Sequence, residues 1–248
     1  MAATQLWLVR HGESTANVAA TAAEIAGLDV IDAETRDADV PLSETGIEQA
    51  TALGRWLGSA HPTPDTVWCS PYLRAEQTTT IALHEAGFAP GSPASFAQVD
   101  ERLRDRELGV LDLLTSHGVA NLFASEEKRR SWLGKFYYRP PGGESWADVA
   151  LRLRSALPDI VHGSSGTVLV VAHDAIVLLM LYICTGMRES ELLGFAQTHT
   201  VANASVTRLS RPSESEPWTL DEFSGHDHLE AFGAPVTRHP GDRDVQPE

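Results

Sequence analysis

Four apolar runs along the chain predict β-strands, at residues 5–9, 66–69, 167–172 and 204–209. The run at residues 167–172, TVLVVA, is continuous and rich in β-branched side chains. Such a run is typical of a strand that is buried on both faces of a parallel sheet. The pattern therefore predicts a buried central sheet.

Apolar residues at helical spacing occupy segments between these strands. After Ser43, a residue type that favours helix N-termini, apolar side chains recur every three or four residues. Ser70-Pro71 and Ser145 mark the starts of two further helices, and residues 175–186 predict another. Strands that alternate with helices predict an α/β fold, a three-layer α/β/α sandwich with a mostly parallel central sheet.

The remaining segments define the predicted domain organisation. Residues 1–210 form one domain with two insertions, residues 19–40, which we interpret as a loop, and residues 110–140, which hold short helical pieces. Beyond residue 210 the chain becomes polar, and residues 211–248 contain nine acidic and three basic residues. We interpret this part as an acidic C-terminal extension that is largely surface and partly disordered.

Composition excludes several classes of protein. The chain has 248 residues and a formal net charge of −15 at pH 7, which opposes binding to nucleic acid or to an anionic membrane. Cys69 and Cys184 are too few for a disulfide framework and fit a reducing compartment. The longest apolar run, residues 175–184, is far shorter than the roughly 20 residues that span a membrane. We therefore expect a cytoplasmic protein that binds neither nucleic acid nor membrane.

Basic residues stand where the predicted strands end. Arg10 and His11 follow the first strand, Arg74 lies in the first turn of the helix after the second, and His173 follows the third. In open α/β sheets, ligands bind beyond the carboxyl ends of the strands. Guanidinium groups match phosphate oxygens geometrically, and an imidazole between two guanidiniums loses its proton easily and becomes a nucleophile. The residues alone therefore predict a site for a phosphate ester.

Five motifs occur in a fixed order, at residues 8–14 (LVRHGES), 42–50 (LSETGIEQA), 70–78 (SPYLRAEQT), 142–145 (GGES) and 170–173 (VVAH). Together they resemble the signature of the histidine phosphatase superfamily, the phosphoglycerate mutase-like proteins. The resemblance covers about residues 5–210 and implies the phosphoglycerate mutase-like form of the predicted fold.

The resemblance implies a role for each residue of the predicted site. His11 would be the nucleophile that becomes a phosphohistidine, and Arg10, Arg74 and His173 would hold the transferring phosphoryl group. Asn17 would add a polar contact to the substrate. The resemblance implies no metal and no organic cofactor. The expected partner is a small phosphorylated substrate, and the formation of a homodimer stays open.

Two positions depart from the family's pattern. Asp174 replaces the glycine that usually follows the second histidine, and its carboxylate either narrows the substrate range or caps a helix. The general acid is usually a glutamate four residues before a glycine, but counting back from Gly109 gives Asp105. Glu107 and Glu101 are competing carboxylates nearby. We favour Asp105 as the acid and keep Glu107 as the alternative.

Three functions fit these residues. We favour a histidine acid phosphatase-like phosphomonoesterase, a metal-independent hydrolase that works through a phosphohistidine on His11. The alternative is a phosphoglycerate mutase, an isomerase, but mutases carry a longer arginine-rich segment, ending in several prolines, than residues 110–140 provide. The third is a catalytically silent module that binds a phosphorylated ligand, and the four basic residues of the site together weigh against it.

Overall fold

A six-stranded sheet runs through the centre of the protein, whose computed structural model describes residues 2–33, 35–59, 62–89, 91–164 and 166–239. The strands are β1 (Gln5–Arg10), β2 (Thr66–Cys69), β3 (Ala97–Val99), β4 (Thr167–Ala172), β5 (Val206–Ser210) and β6 (Thr219–Gly225). Their order across the sheet is β3-β2-β4-β1-β5-β6. The first four of these run parallel, whereas β5 pairs antiparallel with β1 and with β6. The predicted mostly parallel sheet is confirmed.

Helices cover both faces of this sheet. In the described part of the chain they are α1 (Thr15–Ala26), α2 (Glu44–Ser59), α3 (Leu73–Ala86), α4 (Ser116–Leu122), α5 (Ala124–Leu133), α6 (Trp146–His162), α7 (Asp174–Thr185), α8 (Glu189–Thr198) and α9 (Asp227–Ala231). Helices α2 and α3 pack on one face, and α6 and α7 pack on the other. The predicted three-layer sandwich is therefore confirmed. None of these helices has both the length and the apolar character needed to cross a membrane.

Strand β1 illustrates how the sheet is buried on both sides. Leu6 and Leu8 belong to the core beneath α6 and α7, whereas Trp7 and Val9 belong to the core beneath α2 and α3. All four side chains are at most 3% exposed. Because successive side chains of a strand point to opposite faces, a sheet covered on both sides requires a continuous apolar run.

The neighbouring strands β2, β4 and β1 bring three polar strand ends to one edge of the sheet. The register pairs the last residue of β1, Arg10, with the last residue of β4, Ala172. Ser70 directly follows β2, and His173 directly follows β4. Because these strands are parallel and adjacent, their carboxyl ends form the edge at which ligands bind in such sheets.

The first predicted insertion is not a loop throughout. Helix α1 extends to Ala26, well into the segment 19–40 for which we expect a loop. Ser14 caps this helix through a reciprocal pair of hydrogen bonds with Asn17, and Gly27 ends it in the left-handed conformation at φ 64°. Alanine has the highest helix propensity, so with both ends capped this segment forms a helix without a clear apolar stripe.

The ordered fold continues beyond the predicted boundary at residue 210. Strand β6 pairs with β5, and His228 and Leu229 of α9 are buried. The polar composition of this segment did not predict the edge strand β6, because such a strand needs apolar side chains on one face only. Residues 240–248, the last part of the extension that we expect to be partly disordered, lie outside the described residues.

A buried histidine in α9 generates a prediction about stability in acid. Nε2 of His228 donates a hydrogen bond to the carbonyl of Ala204 at 3.0 Å, and the ring packs on Trp56 with the centroids 5.4 Å apart. Burial lowers the pKa of His228 to about 4. An unfolded histidine titrates near 6.5, so below that pH the unfolded state binds a proton that the folded state does not. Stability therefore falls as the pH drops from about 6.5 to about 4.

We expect the free energy of unfolding to fall by about 3 kcal/mol more in the wild type than in His228→Gln between neutral pH and pH 4. Glutamine keeps an N–H donor for the Ala204 carbonyl but does not titrate. Urea unfolding of both proteins at the two pH values measures this difference. Equal pH dependence in the two proteins would show that His228 is not held neutral in the fold.

Candidate active site

His11 follows β1 directly, and its two ring nitrogens have different partners. Nδ1 lies 2.6 Å from the carbonyl oxygen of Gly12, which can only accept, so Nδ1 carries the proton and donates it. Nε2 accepts a hydrogen bond from Nε of Arg74 at 3.2 Å. The ring therefore presents an unprotonated Nε2, and a neutral imidazole nitrogen of this kind is a competent nucleophile.

Burial and neighbouring positive charge keep His11 neutral. Burial lowers the pKa of His11 well below its usual range. Arg74 lowers this pKa further, and smaller effects in the same direction come from His173 and Arg10. The hydrogen bond to the Gly12 carbonyl raises the pKa but does not reverse the shift. At neutral pH, His11 is therefore uncharged and available for attack on an electrophile.

His173 follows β4 and lies beside His11, with the ring centroids 5.2 Å apart. Ser70 Oγ forms a hydrogen bond with Nε2 of His173 at 2.8 Å, and the ring of Tyr72 meets His173 edge to face. Burial lowers the pKa of His173. Ser70 thus orients the second histidine. The prediction that Ser70 is the N-cap of the following helix is wrong, because α3 begins only at Leu73, after Tyr72 at the N-cap position. The Ser70 hydroxyl contacts His173 and also accepts a hydrogen bond from the backbone N–H of Tyr72 at 3.3 Å.

Two buried nitrogens of this cluster, Nε of Arg10 and Nδ1 of His173, have no hydrogen-bond partner among the described residues. Arg10 is fixed through Nη1, which donates to the carbonyl of Val201 at 2.6 Å. Nδ1 of His173 lies 3.2 Å from Oδ2 of Asp105 but is not aligned for a hydrogen bond. Buried polar groups in folded proteins are nearly always paired, so these nitrogens indicate a place for a ligand rich in acceptors. A phosphoryl group supplies such acceptors.

Asp105, the favoured general acid, lies inside the cluster. Its Oδ2 accepts a hydrogen bond from Nη2 of Arg74 at 3.0 Å. Burial raises the pKa of Asp105, but His173 and the permanently charged Arg74 outweigh burial and hold the pKa well below its usual range. Asp105 is therefore ionised in this arrangement. Its pKa depends on which other groups contact Arg74 and His173.

The turn at residues 140–145 positions the loop that carries Asp105. Arg152 donates to the Asp105 carbonyl at 3.0 Å and to both carboxylate oxygens of Glu144 at the same distance. Gly109 has a φ of 56°, and a Cβ there would lie 2.2 Å from a backbone oxygen of the turn. Only glycine permits this close approach. Glu144 is thus a positioning residue. The GGES motif at residues 142–145 includes this glutamate, but the sequence does not show what it contacts.

Glu107, the alternative acid, lies at the rim of the site. The Tyr72 hydroxyl donates to Oε1 of Glu107 at 2.9 Å, and half of the Glu107 side chain is exposed. Asp105, in contrast, contacts Arg74 directly and is 22% exposed. The geometry therefore favours Asp105 over Glu107 for contact with a group bound at Arg74.

Asn17, the predicted contact to the substrate, is held in place by two donors. Its Oδ1 accepts hydrogen bonds from the Ser14 backbone at 3.2 Å and from Nδ2 of Asn203 at 3.3 Å. Asn203 is completely buried and also donates to the carbonyl of His11 at 3.2 Å. The sequence motifs did not single out Asn203. Its only signal is that it precedes β5, whose antiparallel direction places its start beside the end of β1.

The departure at Asp174 is explained by a helix end. Oδ1 of Asp174 accepts a hydrogen bond from the backbone N–H of Ala175 at 2.7 Å, in the first turn of α7. A carboxylate in this position is favourable because it meets the positive end of the helix dipole. Of the two interpretations of Asp174, the one at the helix end therefore matches the structure, although Asp174 is the first residue of α7 and His173 holds the N-cap position.

Side chains that ligate metals do not cluster in the described part of the chain, where no group of three His, Cys, Asp or Glu residues is placed to hold an ion. His226 and His228 are close in sequence but bond different backbone carbonyls, those of Ser224 and Ala204.

The fold and the site together define a class of enzyme, one that transfers phosphoryl groups through a histidine at the carboxyl edge of a parallel sheet. The chain belongs to the histidine phosphatase superfamily (branch 1), whose family model matches residues 6–223. The superfamily predicted from the sequence motifs is confirmed, and so is the prediction of an enzyme.

Individual relatives include both mutases and phosphatases. The 2,3-bisphosphoglycerate-dependent phosphoglycerate mutase of Chelativorans sp. (strain BNC1) is 31% identical over 193 residues, which cover 76% of this chain and 84% of the mutase. The structure of mycobacterial glucosyl-3-phosphoglycerate phosphatase in complex with VO3 is 26% identical, with a TM-score of 0.69, over 90% of this chain and all of that one. The alpha-ribazole phosphatase from Shigella flexneri shares the fold at 20% identity, with a TM-score of 0.66 over 89% of this chain and 96% of its own.

Proposed function

We propose that this protein is a phosphatase that hydrolyses small phosphate monoesters through a phosphohistidine on His11. The observation that carries the proposal is the unprotonated Nε2 of His11, 3.2 Å from Nε of Arg74. A phosphoryl group bound to Arg74 would lie next to this nucleophile. The buried, unpartnered nitrogens of Arg10 and His173 would donate to its oxygens. Such positioning and charge stabilisation are what phosphoryl transfer requires of an enzyme.

In the first step, the hydrogen bond from Nε of Arg74 to Nε2 of His11 breaks, which frees the Nε2 lone pair. This lone pair attacks phosphorus, and the bond between phosphorus and the ester oxygen breaks. The departing alcohol oxygen takes a proton from Asp105. The phosphoryl group of a bound substrate places a second anion beside Arg74, which weakens the interaction through which this arginine lowers the pKa of Asp105. Asp105 can then hold the proton that a general acid delivers.

In the second step, the Asp105 carboxylate removes a proton from a water molecule, and the water oxygen attacks phosphorus. The bond between phosphorus and Nε2 breaks, which returns His11 to its neutral form and releases inorganic phosphate. The same carboxyl thus serves as acid in one step and base in the other.

The second candidate is phosphoglycerate mutase-type transfer, which the 31% identity to the Chelativorans mutase favours. In that reaction the phosphohistidine gives its phosphoryl group to a second hydroxyl rather than to water. Residues 110–140 are shorter and contain fewer arginines and prolines than the segment typical of mutases. The similarity to the mycobacterial phosphatase covers 90% of the chain. These two observations support hydrolysis as the first candidate.

The proposal extends to partner and location. The expected partner is a small phosphorylated molecule, and the net charge of −15 disfavours nucleic acid and anionic membranes. Cys69 and Cys184 are free thiols, which supports a reducing, cytoplasmic compartment.

A labelled phosphoenzyme tests the proposed function. Enzyme quenched during turnover of a ³²P-labelled phosphate ester should carry label that survives alkali and is lost in acid. His11→Asn should carry no label and should hydrolyse the ester at least about a thousandfold more slowly, because the nucleophile is gone. Transfer of label to a second organic hydroxyl instead of release as inorganic phosphate would favour the mutase. Fast hydrolysis without label under single-turnover conditions would indicate direct attack by water.

The general acid is tested with a matched pair of variants. Asp105→Asn should slow hydrolysis of alkyl phosphates by about 10²- to 10⁴-fold, whereas Glu107→Gln should have a mild effect. With an aryl phosphate, Asp105→Asn should release a burst of the phenol, because a good leaving group needs little protonation but the second step still needs a base. Pre-steady-state absorbance measures this burst. Loss of alkyl phosphate hydrolysis in Glu107→Gln with retention in Asp105→Asn would reverse the assignment.

A further inference from the structure

Each nitrogen of the Arg74 guanidinium already has a partner within the protein. Nε donates to Nε2 of His11 at 3.2 Å, and Nη2 donates to Oδ2 of Asp105 at 3.0 Å. The remaining contacts go to Asp37. Nη1 donates to its carbonyl oxygen at 2.6 Å and to Oδ1 at 2.9 Å, and Nη2 donates to Oδ2 at 3.3 Å. A phosphoryl group that binds Arg74 must therefore replace at least one of these acceptors.

Asp37 is the acceptor that phosphate can replace with the least disturbance. Its two carboxylate oxygens face the same pair of nitrogens that a bidentate phosphate uses on an arginine. His11 and Asp105 take part in the proposed reaction and must stay close. Asp37, in contrast, lies on the short, partly exposed turn Asp37–Asp39, and its side chain is 36% exposed, against 5% for Arg74. The carboxylate can therefore move toward solvent while the arginine stays in place.

We propose that Asp37 is a specificity-determining residue that competes with the substrate's phosphoryl group for Arg74 and faces the substrate's alcohol portion after it is displaced. This inference rests on the proposed function, because it requires a phosphoryl group that binds Arg74. The competition lowers the affinity for every phosphate ester. The displaced carboxylate then repels an alcohol portion that carries negative charge and accepts hydrogen bonds from one that carries hydroxyl or ammonium groups. The assigned substrate class is phosphate esters of neutral or cationic alcohols rich in hydrogen-bond donors.

Two further carboxylates near Asp37 act in the same direction. Burial raises the pKa of Asp112, and the charge of Asp37 raises it further, so the two carboxylates are within electrostatic reach of each other. Glu107 adds a third carboxylate at the rim, on the hydroxyl of Tyr72. The adjacent Arg36 pairs with Asp39 at 3.0 Å on the protein surface. These carboxylates would therefore repel an alcohol portion that carries negative charge.

Phosphate binding tests the competition without requiring catalysis. Isothermal titration calorimetry with inorganic phosphate should show about tenfold tighter binding to Asp37→Asn than to the wild type, because this variant lacks the carboxylate charge that competes with phosphate for Arg74. Asp37→Ala should tighten binding at least as much. Asp39→Asn is the matched control, since it removes the same charge from the same turn but from a side chain that pairs with Arg36. It should change phosphate affinity by less than about twofold.

Unchanged or weaker phosphate binding in both Asp37 variants would overturn the inference and would mean that Asp37 holds Arg74 in place. The proposed function would survive that result. If the wild type, both Asp37 variants and Asp39→Asn all fail to bind phosphate, the proposed function is wrong. The inference about Asp37 is then wrong as well, because it requires a phosphoryl group that binds Arg74.

Substrate selectivity tests the second half of the inference. The measured quantity is the ratio of kcat/KM for glycerol 2-phosphate, which carries hydroxyl donors, to kcat/KM for 3-phosphoglycerate, which carries a carboxylate. Asp37→Asn should lower this ratio about tenfold, and Asp39→Asn should leave it within about twofold of the wild-type value. A ratio that does not change in Asp37→Asn would show that the displaced carboxylate does not face the alcohol portion.

Discussion

An uncharged histidine surrounded by cationic side chains is the arrangement on which the rest of this site depends. The His11 ring is buried, Nδ1 donates a hydrogen bond to the Gly12 carbonyl, and Nε2 accepts one from the charged Arg74, so a second proton on Nε2 is unfavourable. The same positive charge attracts a phosphoryl group, for which Arg10 and His173 hold unpartnered donors. The charges of Arg74 and Arg10 therefore both help to keep His11 neutral and help to bind a phosphoryl group, whereas burial, the largest effect on the pKa of His11, acts on the histidine alone.

The sheet fixes this arrangement, and the loops modify it. Strands β2, β4 and β1 are adjacent and parallel, so the residues that follow them meet at one edge without any long-range adjustment of the chain. The carboxylates that balance Arg74 come from outside the sheet. Asp105 lies in a loop held by Glu144 and Arg152, and Asp37 lies in the first insertion. The phosphoryl site is thus built mainly at the edge of the sheet, whereas the selection among alcohols that we propose depends on Asp37 in the first insertion.

The sequence predicts the residues at the sheet edge better than those in the loops, and the reason is physical. His11 and His173 stand where buried apolar runs stop, and that boundary is visible in the chain itself. Asp37 and Asn203 reach the site only through tertiary contacts that leave no local pattern. Ser70 shows the same limit, because its residue type favours helix N-termini but its hydroxyl contacts His173 instead. Strand β6 was missed because a polar edge strand has the composition of a solvent-exposed tail.

The protonation state of His11 is the property on which the proposed chemistry of this site depends. Imidazole ¹⁵N NMR of the labelled protein, with the His11 signals identified by their loss in His11→Asn, reports both the charge and the tautomer of this ring. At a pH near 6.5, where an ordinary histidine is half protonated, we expect His11 to be neutral, with its proton on Nδ1 and a bare Nε2. An imidazolium at that pH, or a neutral ring with its proton on Nε2, would show that His11 is not a neutral nucleophile with a free Nε2 in this site.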